Sequence, residues 1–277
     1  MKGGGNKQGK MTLNDKIEYS IALIRKGEAL ALKMSDKGYY LGFSGGKDSQ
    51  VVFDLAKRAG VKFEAVYNAT TNDPADNVRF IRTYYPDVRF DVPEKSFLTL
   101  VSEKGLPMFF DRWCFDVLKE SKSIGRVGLF GVRKDESVKR SAYTVFEKID
   151  KKKENRTKDL DKMKELNFEC VSGNDKFMLY PILAWEEKEV WKYIHANKLP
   201  INPIYKDFKR VGCMFCPYSP EWQRKRYVRR NPKLFQCLLN ALEKYLLSKN
   251  CKVNFSSPED YFNRWVEKED VETYEKK

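Results

Sequence analysis

Two short segments carry side chains whose types and spacing can do chemistry. The first is Ser44-Gly45-Gly46-Lys47-Asp48-Ser49. Paired glycines let a backbone curl around an oxyanion and reach positive φ. The hydroxyls of Ser44 and Ser49 supply donors, Lys47 supplies charge, and Asp48 is suited to orient the loop or to hold Mg²⁺ through water. The run is not a Walker A loop, because the four-residue spacer before Gly-Lys is missing, and it is not GxGxxG. The second segment is Cys213-x-x-Cys216-Pro217, a ligand-type spacing. His195 is the one histidine of the chain. A tetrahedral site must therefore be filled largely by thiolates, around either zinc or an iron–sulfur cluster.

The elements that must position these segments follow from hydrophobic period. Residues 14–34 place Ile17, Ile21, Ile24 and Ala31 at helical spacing. The apolar run Tyr39 to Phe43 reads as a strand that stops at Ser44-Gly45-Gly46, and Val51, Val52, Leu55 and Ala56 then begin a helix closed by Gly60. Strands are expected at 61–68, 88–92, 126–132 and 177–183, with helices around 77–85 and 186–197. Strand alternating with helix implies a mainly parallel, doubly wound α/β sheet. The glycine loop then lies where a helix N-terminus offers N–H groups and a positive dipole end to an anion. From about Val211 the pattern is helical, with Leu234, Leu238, Leu239, Leu242, Tyr245 and Leu246 in one stripe. The expected organisation is a flexible tail over 1–12, a nucleotide-binding domain over 13–210 with a basic insertion near 148–165, and a cysteine-containing helical region over 211–277. The segment 68–74 follows the second strand at its carboxyl end, so Thr70, Thr71 or Asp73 is placed to touch ligand, with a plain Asx/Pro turn as the alternative.

The chain has 277 residues, 42% of them hydrophobic, with 53 Lys+Arg against 39 Asp+Glu, a net charge of +14. That composition supports a full core and points to an anionic partner. Residues 206–233 hold nine basic and two acidic side chains, a net +7. Trp222, Tyr227 and Phe235 punctuate them, the mixture of cation and flat ring that nucleic-acid surfaces use. A second basic run, 148–162, reads as an exposed loop or helix. No apolar run approaches the roughly 18 residues of a membrane span, and Met1 to Lys10 has no apolar leader, so a cytoplasmic protein without a membrane partner is expected. In that compartment the six cysteines read as thiols or metal ligands.

Ser44 to Ser49 between a first strand and a first helix resembles the SGGxDS fingerprint of the pyrophosphate-loop ATPase superfamily, whose fold is adenine nucleotide alpha hydrolase-like. The resemblance narrows to the phosphoadenosine phosphosulfate reductase family through three segments. These are Trp113-Cys114 followed by Lys119; Gly131-Val132-Arg133-Lys134-Asp135-Glu136-Ser137 followed by Arg140; and Pro181 to Trp185 leading through Asn202-Pro203-Ile204-Tyr205 to Gly212-Cys213-Met214-Phe215-Cys216-Pro217. The resemblance implies a nucleotide site of Ser44, Gly45, Gly46, Lys47, Asp48, Ser49, Thr70, Asp73, Gly131 and Arg133. Lys47, Asp48, Arg133 and Arg140 would carry the chemistry. Guanidinium forks match oxyanions bidentately, which suits Arg133 and Arg140 as phosphate or sulfate ligands. The alternative for Arg133 is an i,i+3 surface pair with Glu136.

Cluster-bearing relatives ligate a [4Fe-4S] centre with a cysteine pair at the position of Cys114-Phe115 and another at Cys213 and Cys216. Here Phe115 replaces one cysteine. The expected ligands are Cys114, Cys213, Cys216 and Cys170, with Cys237 next in line for the fourth place, a three-cysteine cluster with one open iron as a further alternative, and zinc as the alternative metal. Family reductases attack sulfur with a cysteine on a C-terminal tail. This chain ends Val271-Glu272-Thr273-Tyr274-Glu275-Lys276-Lys277, without a nucleophile. The intact loop implies instead ATP, with Mg²⁺, cleaved to AMP and pyrophosphate to activate an acceptor for sulfur transfer. The surplus of positive charge suggests tRNA or DNA as acceptor, with a sulfur donor or thiol reductant as co-reactant. A sulfonucleotide reductase acting on phosphoadenosine phosphosulfate is the second reading. A nucleic-acid-binding module with a vestigial site is the third.

Overall fold

The computed structural model describes residues 11–119, 123–149, 156–157, 175–249, 251 and 255–267. In chain order the first elements are α1 (Leu13–Lys26), α2 (Glu28–Met34), β1 (Tyr39–Gly42), α3 (Lys47–Ala59), β2 (Phe63–Asn68), α4 (Ala75–Tyr84), β3 (Arg89–Asp91), α5 (Phe97–Lys104) and α6 (Trp113–Leu118). Then come β4 (Val127–Leu129), α7 (Val138–Ser141), β5 (Phe146–Ile149), β6 (Arg156–Thr157), β7 (Lys176–Leu179), α8 (Glu187–Ala196), α9 (Glu221–Arg230), α10 (Pro232–Leu246) and α11 (Pro258–Glu267). The chain forms two compact units, Met1–Val66 with Ser123–Ile201 and Tyr67–Lys122 with Asn202–Lys277.

The first unit is built on strands in the order β2-β1-β4-β7-β5-β6. β1 pairs in parallel with β2 and β4, and β4 with β7. Leu41, Val127, Leu129 and Phe177 are fully buried, as expected of strands covered on both faces. The mainly parallel sheet expected from the sequence is present. Its far edge differs: β5 runs antiparallel to both β7 and β6. The start of the run read as an exposed basic insertion is therefore sheet. Phe146 stacks on Phe177 at 5.6 Å, and Lys148 pairs with Asp175 at 3.0 Å. Cross-strand contacts of this kind override a polar local composition. The rest of that insertion, and the tail over 1–10, lie outside the described residues. The helix expected over 14–34 breaks at Gly27, where an added Cβ would meet the Tyr39 hydroxyl at 2.5 Å.

β1 sits between β2 and β4. The chain leaves β1 toward one side and returns to β4 on the other, so the loops after these two strands flank the switch point where sheets of this type take ligands.

The second unit is mostly helical. α5 lies against α10, and α10 against α11. Leu100, Val101, Leu238, Leu242, Phe262 and Trp265 share one apolar core. Residues 67–119, which sequence pattern joins to the nucleotide-binding domain, thus share the core of the C-terminal helices. The decisive side chain is Phe97, stacked 5.8 Å from Trp113 and 6.4 Å from Phe215. One ring ties α5 to the neighbours of both Cys114 and Cys216.

Candidate functional site

In the first unit the glycine loop is a laced turn. Gly45 takes φ +75°, while Gly46 has φ −85° and is the N-cap of α3. Only the first of the two glycines therefore uses the left-handed region. The Ser44 N–H donates to Ser49 Oγ at 3.2 Å, the Gly46 N–H to Ser44 Oγ at 3.3 Å, and Ser49 Oγ to the Gly46 carbonyl at 2.9 Å. The serine hydroxyls expected to face a phosphate thus hold the loop's own shape.

Lys47, 4% exposed, lies 3.3 Å from both Asp48 Oδ2 and Glu187 Oε1. Arg133, buried, donates from Nε to Asp48 Oδ1 at 2.6 Å and from Nη1 to both Asp135 oxygens at 2.6 Å. Burial works against its charge, yet Asp48 and Asp135 outweigh that and hold the guanidinium more firmly protonated than usual. Gly131 lets this happen, because a Cβ there would stand 2.7 Å from the Asp48 carbonyl carbon. Arg140 pairs with Glu136, whose Oε2 also accepts the Arg133 backbone N–H at 3.1 Å. The structure thus brings together the loop, Gly131, Arg133 and Arg140. It places the Arg133 side chain on acids of the loop and of its own segment, and not on the surface beside Glu136.

Sequence reasoning missed Asp135 and Glu187. Asp135 accepts the Glu187 N–H at 3.0 Å, and Glu187 reaches Lys47. The one signal available was the position of each acid within a family-like segment.

In the second unit Thr70 and Asp73 meet the cysteines. Thr70 Oγ1 lies 3.5 Å and Asp73 Oδ1 4.0 Å from Cys213 Sγ, and Lys119 Nζ donates to the same sulfur at 3.6 Å. Asn72 fixes the approach: its side chain accepts from the Phe215 N–H at 3.1 Å, and its carbonyl accepts from the Met214 N–H at 2.9 Å. Thr71, at φ +56°, accepts from the Phe97 N–H at 2.7 Å. Cys114 lies close enough to Cys213 and Cys216 for the three to influence one another. Burial first, and those two neighbours second, push its thiol up to about 12. Burial also raises Cys213, with Lys119 opposing.

Cys114, Cys213 and Cys216 converge, but Cys213 faces an ammonium, and no three Cys, His, Asp or Glu among the described residues are arranged to hold a metal ion. Cys170 lies outside the described residues, and Cys237 is exposed. Asp48, the residue offered for Mg²⁺, is already engaged by Lys47 and Arg133. Among the described residues neither set forms a group that could hold its metal.

The basic stretch is less superficial than its sequence suggests. Arg224 is buried, donating to the Val266 carbonyl at 2.6 Å and lying 4.8 Å from the Trp265 ring centre. Arg226 and Arg230 share Asp207. Tyr227 and Phe235 pack in or against the core, and only Trp222 of the three rings is exposed. Lys206, Lys209, Arg210, Arg229 and Lys233 remain exposed.

The phosphoadenosine phosphosulfate reductase domain profile matches residues 38–219. The chain belongs to this family. Two uncharacterized proteins of Methanocaldococcus jannaschii are 26% and 28% identical to it over 83% and 76% of its length, and cover themselves to 54% and 42%. The chain thus spans about half the length of the curated relatives it matches. An adenosine 5'-phosphosulfate reductase of Neisseria meningitidis is 40% identical over 50 residues, 18% of this chain and 20% of that protein. Among solved structures, a phosphoadenylyl-sulfate reductase of Candida auris has a TM-score of 0.46 at 16% identity, over 74% of this chain and 96% of its own. Within this reductase-domain family member no helix of the described residues is long and apolar enough to cross a membrane.

Proposed function

We propose that the first unit binds ATP and cleaves it between the α- and β-phosphates, activating an acceptor for sulfur transfer, with tRNA or DNA as that acceptor. The observation that carries this reading is the formed loop: Gly45 in the left-handed region, Gly46 capping α3, and Lys47 and Arg133 buried beside it. A helix N-terminus and the Lys47 ammonium are suited to a polyphosphate, with Arg133 holding the loop through Asp48. On binding, Lys47 exchanges Glu187 for pyrophosphate oxygens. An acceptor oxygen attacks the α-phosphorus, the bond to the bridging oxygen breaks, and pyrophosphate leaves with the electron pair. Lys47 and the α3 N-terminus stabilise that leaving charge. Hydrosulfide from a sulfur donor then attacks the activated acceptor atom, the bond from that atom to the AMP oxygen breaks, and AMP leaves with the electron pair. Arg133 acts in this scheme through Asp48, as a positioning residue.

The test is incubation with α-labelled ATP and added Mg²⁺, with and without tRNA or DNA. Labelled AMP and equimolar pyrophosphate are expected, and Lys47→Ala should lower the rate by about 10²-fold or more. No AMP with any nucleic acid, alongside turnover of phosphoadenosine phosphosulfate, overturns the reading. That outcome would favour the second reading, a sulfonucleotide reductase, which the short match to adenosine 5'-phosphosulfate reductases supports.

A further inference from the structure

One face of the second unit exposes rings around a single arginine. The Arg112 guanidinium lies 4.5 Å from the Phe115 ring centre and 4.8 Å from that of Tyr218. Among the described residues its side chain has no carboxylate or carbonyl partner. The Tyr218 hydroxyl donates to the Phe109 carbonyl at 2.9 Å, and the Phe109 and Phe110 rings meet at 5.1 Å. All four rings are exposed, Tyr218 at 61% and Phe109 at 51%. Apolar rings left in water in one contiguous group mark an interaction surface.

The chemistry narrows the partner. The two rings flank Arg112, which leaves its N–H edge for an oxyanion. Flat faces beside a guanidinium suit a ligand that alternates flat faces with anions. Asp111, which precedes Arg112, and Asp116, four residues after it, are exposed, so this patch is not a strong field by itself. The cationic excess comes from the exposed Lys206, Lys209, Arg210, Arg229 and Lys233 of the same unit. These five exposed cations favour a polyanion over an uncharged protein surface.

We infer that Phe109, Phe110, Phe115 and Tyr218 form a stacking platform for the bases of single-stranded nucleic acid, with Arg112 on a phosphate. This deepens the nucleic-acid part of the proposed function and is independent of its ATP step. Stacking on rings is sequence-tolerant and needs unpaired bases, so the platform selects single strands or loops over duplex.

The experiment is fluorescence anisotropy of the full chain, without ATP, against a labelled single strand of about 16 nucleotides and the duplex of the same sequence, across a salt series. Tighter binding of the single strand is expected. Phe115→Ala and Tyr218→Ala should each weaken it by about tenfold, and Arg112→Ala should reduce the salt slope by about one. These positions are exposed or half-buried, and circular dichroism of each variant confirms folding. Unchanged affinity in folded variants, or equal affinity for duplex, overturns the platform. If the platform variants lose single-strand binding while the wild type never releases AMP, the platform stands and the ATP reading falls. If nucleic acid stimulates AMP release and the variants bind as wild type, the ATP reading stands and the platform falls.

Discussion

Among the described residues each unit buries one arginine, and the two are held in opposite ways. Arg133 in the first unit is clasped by the carboxylates of Asp48 and Asp135, which raise its affinity for the proton. Arg224 in the second unit has the Val266 and Pro217 carbonyls and the face of Trp265, its Nε has no partner, and burial lowers its affinity for the proton. The first arrangement compensates a charge with charges and ties the glycine loop to the segment after β4. The second compensates with dipoles and a ring and ties α9 to the end of α11. A buried arginine is thus a fastening whose function depends on what it fastens, and only the first fastens a candidate active site.

The comparison breaks most sharply on substitution by methionine, which keeps length and removes charge. Arg133→Met leaves Asp48 and Asp135 facing each other without their cation, and should cost about 3 kcal/mol in urea unfolding. A loss of ATP binding with unchanged stability would show that Arg133 serves the ligand and not the loop. Arg224→Met removes a buried charge that has no carboxylate partner and takes the donor from the Pro217 and Val266 carbonyls, so about 1 kcal/mol is expected. A cost equal to that of Arg133→Met would erase the distinction. The smallest effect is a pH dependence that belongs to the second unit. Hydrogen bonds from the Ser256 backbone, from Arg264 and from the Ser256 hydroxyl lower the Asp260 carboxyl below its ordinary value. Its contribution is present above the unfolded carboxylate range of about 4 and is lost as pH falls through the lower folded value. Asp260→Asn should therefore flatten the acid limb of stability against pH. A limb identical to wild type would show that Asp260 contributes nothing to it.

The same contrast marks what was readable beforehand. β1, α3 and β2 were legible because apolar period and punctuating glycines act locally, as Gly60 does at φ +72° after α3. The loop and the Gly131-to-Ser137 segment were legible as motifs. That they meet follows from the parallel neighbours β1 and β4. The identity of the Arg133 partners was not legible, because Asp48 is 85 residues away. The strands β5 and β6 were hidden in a charged run, because β5 takes its place through β7, about 30 residues further on, and β6 pairs with β5.

Sequence alone determined the α/β class, the glycine loop, the cysteine spacing and the excess of positive charge, since these rest on composition and on neighbours within a few residues. Only the tertiary structure decided where the charges point. It turned Arg133 and Arg224 inward, set Thr70 and Asp73 against Cys213, and left Arg112 among exposed rings. Long side chains choose partners across the fold, and burial makes each choice matter, because an ion removed from water must find compensation wherever the packed chain supplies it.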